Sequence, residues 1–211
     1  LLTRWVKYLD EFGEDPGEQL CTDDFAGHLA HNVNLSAKAI MGVAAYALLQ
    51  KRAGDADLAA QMMDKAREMA KSWLARADRP EGSCLTFDGQ GWSMKYNLVW
   101  DKVLGLNLLS EEFYRHETRS YLPRIRTYGL PLDSREDYTK SDWILWTAAM
   151  TDEQEVFDAL VAPVAKYLRE TPSRVPFSDW YFTTKGSYRA FIARSVQGGL
   201  FMPMLAEKWK K

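Results

Sequence analysis

Stretches with almost no charge alternate along this chain with stretches that are charged on one face. Their apolar positions recur at helical spacing, which predicts helices over 2–12, 35–52, 56–76, 97–109, 111–127, 141–150, 153–169 and 188–208. Asp55 and Ser110 fit the N-cap positions of two of these helices, and Asn34 or Ser36 fits that of a third. The apolar helices must be buried on most sides, whereas the amphipathic ones lie on a surface. We therefore predict the inner and outer layers of one all-α body, with the helices near 35, 97, 141 and 188 inside.

Long loops precede the apolar helices, and short turns follow them. The long loops cover 13–33, 77–96, 128–139 and 170–187. The short turns lie near Gly54, Ser110 and Thr151. All four long loops should then gather at one end, as in an α/α toroid of helical hairpins, with about four of its usual six hairpins present. Because the chain opens inside a helical pattern without Met, we expect 1–211 to be one domain, N-terminally truncated from a longer protein.

Composition excludes some classes of function. The chain has 211 residues, 46% of them hydrophobic, and a net charge of −2, which suits an ordinary folded domain with a core. Lys and Arg form no cluster of the kind that nucleic-acid binding needs, and no stretch reaches the length of a membrane span. Cys21 and Cys84 both lie in long loops. We expect two unpaired thiols there, with a disulfide as the alternative.

The first long loop has the densest set of chemical groups. Asp23 and Asp24 are adjacent, and His28 and His31 follow within ten residues. Carboxylates beside imidazoles are typical of acid–base chemistry. If 24–31 were helical, Asp24 and the two histidines would share one face, as metal ligands could. The alternative is that the acids cap helices and the histidines fill polar gaps, and we expect no metal.

The second loop and its helix combine rings with charges. Trp92, Tyr96 and Trp100 are candidate stacking surfaces for a substrate, and the candidate polar contacts are Lys95, Asp101 and Lys102. A charge on an otherwise apolar helix is costly unless it is paired or faces a cavity. Pairing of Asp101 with Lys95 or Lys102 is therefore the structural alternative to a role in catalysis.

The third and fourth loops add further acids and rings. The third holds Asp137, Tyr138, Lys140 and Asp142, and the fourth holds Asp179, Trp180, Tyr181 and Lys185. The third-loop acids could instead cap the helix, face solvent or pair with basic neighbours. The aromatic residues could form a platform for sugars or simply close the end of a toroid.

Signatures of nucleophilic and phosphate chemistry are missing from the sequence. It contains no G-x-S-x-G or S-x-x-K motif, no glycine-rich phosphate loop and no C-x-x-C. The remaining groups are carboxylates, His, Lys and rings around a cleft. They suit activation of water by a carboxylate base with a carboxylic acid partner, as in inverting glycosidases, and equally a pocket without catalysis.

Three long strings resemble the six-helical-hairpin domain of the glutaminase A family: CTDDFAGHLAHNVNLSAKAIMG, FDGQGWSMKYNLVWDKVLGLNLL and TYGLPLDSREDYTKSDWILWTAAM. The resemblance runs from near Trp5 to near Trp209. It implies an α/α toroid related to six-hairpin glycosidases, normally preceded by β-rich domains, and an extracellular or periplasmic location. It also implies hydrolysis of the side-chain amide of glutamine to glutamate and ammonia. The motif positions are Asp23, Asp24, His28, His31, Trp100, Asp101, Lys102, Asp137, Tyr138, Lys140 and Asp142.

Three functions follow as hypotheses. A glutamine amidohydrolase needs a small pocket with an acid for the α-ammonium and a cation for the α-carboxylate, which could be Lys95, Lys102, Lys140 or Lys185. A carbohydrate-active enzyme needs an exposed Trp92 or Trp180 and, if inverting, carboxyls about 6.5–9.5 Å apart. A supporting helical domain needs only capped or paired acids. The candidate catalytic residues are Asp23, Asp24, Asp101 and Asp142. The candidate substrate-binding residues are His28, His31, Trp92, Lys95, Trp100, Lys102, Asp137, Tyr138, Lys140 and Trp180. The expected partner is a small-molecule or carbohydrate substrate, with no cofactor.

Overall fold

The computed structural model describes residues 1–21 and 23–209, and helices make up most of this part of the chain. The α-helices are α1 Leu2–Phe12, α2 Val33–Ala53, α3 Ala56–Ala77, α4 Val99–Leu104, α5 Glu111–Ser120, α6 Ser141–Ala148, α7 Gln154–Glu170 and α8 Met202–Trp209. Short 3₁₀ segments cover Asp24–Ala26, Tyr96–Leu98, Leu122–Arg124 and Ser195–Phe201. One antiparallel sheet joins β1 Tyr138–Lys140, β2 Trp180–Phe182 and β3 Tyr188–Ala190 in that order. The prediction of a mostly helical body is confirmed, and the all-α prediction is wrong in omitting this sheet.

The first inner and outer helices are α2 and α3, which pack along each other. On α2, Val33, Ala37, Val43 and Ala44 are fully inaccessible, whereas α3 buries one face around Trp73. This difference follows from the charge patterns of the two helices and confirms the prediction for this pair. Helices α6 and α7 also pack together. These pairs are the units of the predicted toroid, while the ring itself stays a prediction.

Polar side chains set where several helices begin. Asp55 and Ser110 accept backbone N–H groups at the starts of α3 and α5, at 3.0 and 3.1 Å, as predicted. The cap of α2 is Asn32, whose side-chain oxygen accepts a backbone N–H at 2.8 Å. The prediction of Asn34 or Ser36 was wrong because the helix begins earlier, and both residues are buried within it.

Helices α4 and α5 are shorter than the predicted ranges 97–109 and 111–127. Gly105 ends α4 in the left-handed conformation, with φ of 63°. The carboxylate of Asp101 then accepts the N–H groups of Leu108 and Leu109, which holds the chain in a turn. Helix α5 ends before Pro123, whose ring and missing N–H are poorly tolerated inside a helix.

The predicted helix over 188–208 is the clearest error. Its first residues form β3, which pairs with β2 through Trp180 and Ala190, and an α-helix begins only at Met202. Met202 is the one buried residue of α8, so this segment is not an inner helix. Pro203 fits the first turn of the short helix, where no backbone N–H bond is lost.

The buried side chains form two clusters. One surrounds α2 and α3 and includes Trp73, whose indole N–H donates to the Val33 carbonyl at 2.8 Å. The other lies among α6, α7 and the sheet, and it includes Ile144 and Leu160. Contrary to the expectation that no stretch reaches the length of a membrane span, α2 alone among the described helices has that length and mean hydropathy, and most of it is buried in the first cluster. That burial is typical of a core helix.

Candidate functional site

Aromatic rings from four stretches of the chain meet around the ring of Phe25. Its centroid lies 4.3 Å from that of Trp180 and 6.1 Å from that of Trp143. Tyr96 stacks on Trp143 at 4.2 Å. These contacts bring four separate stretches of the chain together, and their position at one end of a toroid stays a prediction.

Four charged side chains lie beside these rings. Lys140 Nζ is 3.1 Å from Asp142 Oδ1 and also donates to Asp179 Oδ2. Arg194 Nη2 lies 3.6 Å from the same oxygen of Asp179. The lysine and both aspartates are buried, so each charge needs its partner in place of water. Two cations and two carboxylates make the group neutral. We call these four residues the ion group.

Local structure positions each member of the ion group. Lys140 ends β1 and pairs with Trp180 in β2, which brings the preceding residue, Asp179, next to it. Asp142 lies in the first turn of α6, where the helix dipole favours a carboxylate. Arg194 precedes the 3₁₀ segment that packs against α6. The ion group therefore depends on the sheet that the helical pattern did not predict.

A cavity of about 380 Å³ opens beside the ion group. Its lining residues include Phe25, Lys140, Asp142, Trp143, Trp146 and Arg194. The volume lies within the range of small-molecule sites, which usually combine apolar and aromatic walls with a few convergent polar groups. We take this cavity as the candidate functional site.

A wider cavity, of about 830 Å³, lies at the C-terminal ends of α2 and α4. Charges at its edge are paired: Lys102 binds Glu111, and Arg115 binds Asp152 at 2.8 Å. The hydrogen bonds and charge of Arg115 hold the pKa of Asp152 below its usual range. A carboxylate with a lowered pKa is a weak base. We therefore favour the cavity of about 380 Å³ as the functional site, although the other cavity is larger.

Asp142 is the lining residue best suited to proton transfer. Burial raises the pKa of its carboxyl, and the charge of Asp179 raises it further, against the opposing effect of Lys140. Only Oδ1 is paired with another described side chain, Lys140. A carboxylate with a raised pKa in the wall of a cavity is suited to accept a proton from water.

Asp23 lies in a separate buried network. Tyr96 donates to Oδ1 at 3.2 Å, and Arg135 lies 3.2 Å from Oδ2 while also binding Asp133 at 2.6 Å. Burial raises the pKa of Asp23, and the charge of Asp133 adds to the increase. Asp23 borders a polar space of about 10 Å³, together with Asn34. That space has room for about one water and not for a substrate.

The histidines do not join the candidate site. His31 pairs with Asp15 at 2.8 Å, and its side chain is 57% exposed. His28 is exposed and forms a β-bridge with Leu20. The helix considered over 24–31 is limited to a short 3₁₀ segment. The side chain of Asp24 lies outside the described residues. Within the described part of the chain, no three His, Cys, Asp or Glu residues are grouped as metal ligands would be.

Several other candidates have structural partners. Asp101 is buried and accepts from Tyr114 Oη at 2.7 Å as well as from two backbone amides, so its proposed pairing with Lys95 or Lys102 is wrong. Asp137 accepts from the hydroxyls of two threonines next to β2. These carboxylates hold turns together, and neither lines the candidate site.

Lys95 lies in a fully buried network beneath the second loop. Its Nζ donates to the Ser83 carbonyl and to both the carbonyl and the hydroxyl of Ser93, at 2.8–3.3 Å. Burial lowers the pKa of Lys95 to about 8, although nearby Glu117 opposes the shift. With three acceptors on its amine, Lys95 serves the packing of this loop and is not open to a substrate.

The remaining aromatic candidates do not line the site. Trp180 is 7% exposed, and Tyr138 packs against its edge at 5.3 Å. Trp100 contacts the lining residue Trp146 at 5.4 Å. Trp92 is half-buried under the guanidinium of Arg124. The two free cysteines, Cys21 and Cys84, are buried and unpaired, as expected.

Sequence reasoning missed Arg194, Trp146 and Phe25 as site residues and named Asp179 without assigning it a role. Arg194 was placed inside the predicted helix over 188–208, where nothing marked it as a partner of Asp179. The paired glycines Gly198 and Gly199 were an available signal, since two glycines are poorly suited to a helix interior.

We expect Gly199→Ala to disturb the candidate site and Gly198→Ala to leave it intact. A Cβ at Gly199 would lie 2.8 Å from both Asp142 Cβ and Trp146 Nε1, whereas a Cβ at Gly198 would meet nothing within 4 Å. Overpacking of this kind typically costs about 1–3 kcal/mol. Urea unfolding of the two variants measures the difference, and equal stabilities would show that the segment yields without cost.

Comparison with known proteins gives concordant matches. The sequence model of the family described as the glutaminase A six helical-hairpin domain matches residues 1–204. Glutaminase A of Aspergillus oryzae is 37% identical over 209 residues, which cover 95% of this chain and 30% of that protein. A probable glutaminase of Arthroderma benhamiae is 31% identical over 241 residues, covering 99% of this chain and 28% of that protein. The chain thus spans about a third of the length of these relatives.

Proposed function

Since the chain belongs to the glutaminase A six-helical-hairpin family, we propose that the full-length protein hydrolyses the side-chain amide of glutamine, and that this domain carries the site. The observation that carries the proposal is the cavity of about 380 Å³ at the ion group, with Asp142 in its wall. Its size suits a small molecule, and its neutral charge suits a zwitterion.

In the proposed reaction, Asp142 acts as the general base. Its carboxylate removes a proton from a water molecule, and the oxygen attacks the amide carbon of the substrate. The C–N bond then breaks, and the proton on Asp142 returns to the leaving nitrogen, so that glutamate and ammonia are formed. Lys140 binds the other carboxylate, Asp179, as well as Asp142, and so holds the base in one orientation.

The carbohydrate alternative has weaker support. Of the two rings that it depends on, Trp180 is buried beside Phe25 and Arg189, whose guanidinium lies 5.2 Å from the ring. The other, Trp92, is half-buried under Arg124 and does not line the cavity. The alternative of a supporting domain accounts for Asp101 and Asp137, both of which hold turns. It leaves the cavity beside the ion group without a role.

We also propose that the full-length protein acts in the extracellular or periplasmic space and carries β-rich domains before this one. Both proposals follow from the family resemblance. Fractionation of the native host, with antibody detection of the protein, tests the location.

Ammonia release by the full-length protein tests the proposed activity. We expect release from L-glutamine, slower release from L-asparagine, and no reducing sugar from a panel of aryl glycosides and oligosaccharides. Release of sugar without ammonia would favour the carbohydrate alternative. Neither product from the correctly folded protein would favour the supporting domain.

A further inference from the structure

The guanidinium of Arg194 has hydrogen-bond donors to spare at the candidate site. It lies 3.6 Å from Asp179, beyond hydrogen-bond distance, and its carbon stacks 3.9 Å above the centre of the Phe191 ring. Among the described residues, no hydrogen-bond acceptor is found for its side chain. Charge and stacking therefore fix its position while its N–H fork stays available, and such a fork matches the two oxygens of a carboxylate.

The charges of the ion group specify the kind of ligand. The positive charge of Arg194 is offset by Asp179 through a contact that is too long to be a hydrogen bond, and Asp179 Oδ1 is itself buried and unpartnered. An anionic group can therefore approach the arginine without breaking a close ion pair. Because the ion group is neutral as a whole, a ligand of zero net charge leaves no uncompensated charge in the site.

We propose that Arg194 binds the α-carboxylate of a free amino acid in this cavity. This inference rests on the function proposed above and deepens it: it names the residue that distinguishes a substrate with a free α-carboxylate from one in which a neutral amide replaces that group.

The kinetic test compares L-glutamine with L-glutaminamide, which carries a neutral amide in place of the α-carboxylate. Ammonia release and product identity are measured with the full-length protein and its Arg194→Gln variant. We expect kcat/KM for glutamine to fall about a hundredfold in the variant, mainly through KM, and kcat/KM for glutaminamide to change little. Arg194→Lys should recover part of the loss, since it keeps the charge without the fork.

Arg189→Gln is the matched control. This arginine also lies over aromatic rings, Trp180 and Phe182, but it is outside the cavity. We expect it to leave the preference for glutamine unchanged. Equal losses on both substrates in Arg194→Gln, or no loss on either, would overturn the inference.

A binding test separates this inference from the proposed reaction. L-norvaline and L-norvalinamide have no side-chain amide to hydrolyse, and calorimetry measures their affinity for the full-length protein. We expect norvaline to bind more tightly than its amide, and the difference to disappear in Arg194→Gln. Such binding without ammonia release from glutamine would reject the proposed reaction and keep the carboxylate site. Absence of norvaline binding, or equal binding by the variant, would reject the carboxylate site.

Discussion

Asp142→Asn in the full-length protein is expected to lower kcat/KM for glutamine by roughly 10²–10⁴-fold, the range typical of a lost general base. Asparagine keeps the shape of the side chain but cannot take a proton from water. The buried Lys140 keeps Asp179 as its partner, so the fold should persist. Steady-state ammonia release, normalised to folded protein, measures the loss.

The pH profile adds a second readout of the same substitution. Because burial raises the pKa of Asp142 above the ordinary 3.8, the base is protonated at pH values where a surface aspartate is ionised. The rate of the unmodified protein should therefore rise with pH along an acid limb displaced above 3.8. Loss of this limb in Asp142→Asn supports the assignment, and a limb that survives unchanged assigns it to another group.

Asp101→Asn is the matched control for this experiment. Asp101 is equally buried, but it accepts hydrogen bonds from Tyr114 and from two backbone amides at the end of α4. We expect a lower melting temperature and an unchanged turnover per folded molecule. If Asp101→Asn abolished turnover with the melting temperature preserved, the site would have to be placed near the wider cavity instead.

Lys140→Met is expected to destabilise this domain by about 3–5 kcal/mol, the typical cost of removing one partner from a buried ion pair. Methionine fills a similar volume, so packing is largely kept. Two buried carboxylates, Asp142 and Asp179, would then lose the cation that they share, and Arg194, 3.6 Å from Asp179, would be the cation left in the ion group. Urea unfolding monitored by tryptophan fluorescence gives the free energy of unfolding, from the midpoint and the slope.

The control for Lys140→Met is Lys166→Met, whose lysine pairs with Glu170 at 3.8 Å on an exposed surface. Exposed pairs contribute about 0–1 kcal/mol, so this variant should unfold nearly as the unmodified domain does. The penalty of Lys140→Met should shrink as the pH falls, because protonation removes the negative charges left unpaired. A penalty equal to that of Lys166→Met at neutral pH would mean that water reaches the ion group.

The helical layers could be predicted from the sequence because the signal is local. The charge difference between α2 and α3 is set by residues close together in the chain, and so are the caps Asp55 and Ser110. The three long sequence strings that resemble the family are local signals too. They identified the family, which the comparisons confirm over residues 1–204.

The end of the chain could not be predicted in the same way. An apolar run over 188–208 is compatible with an inner helix or with a strand and a 3₁₀ segment. What decides between them is the pairing of β3 with β2, whose register joins Trp180 to Ala190, and of β2 with β1. The hydrogen bonds between β1 and β2 link residues about forty positions apart. The composition of a segment does not encode such pairing.

The sequence by itself determined the mostly helical class and the family. It also identified the third loop as a source of candidates, since Lys140 and Asp142 lie at the start of α6. Only the tertiary structure decided which acids share a cavity. Asp23 lies in the loop with the densest set of chemical groups. It is nevertheless paired with Arg135 and borders a space with room for only about one water. Arg194 reaches Asp179 because the sheet and the 3₁₀ segment fold back onto α6. A charged side chain takes its role from the partners that desolvation forces on it, and those partners are distant in sequence.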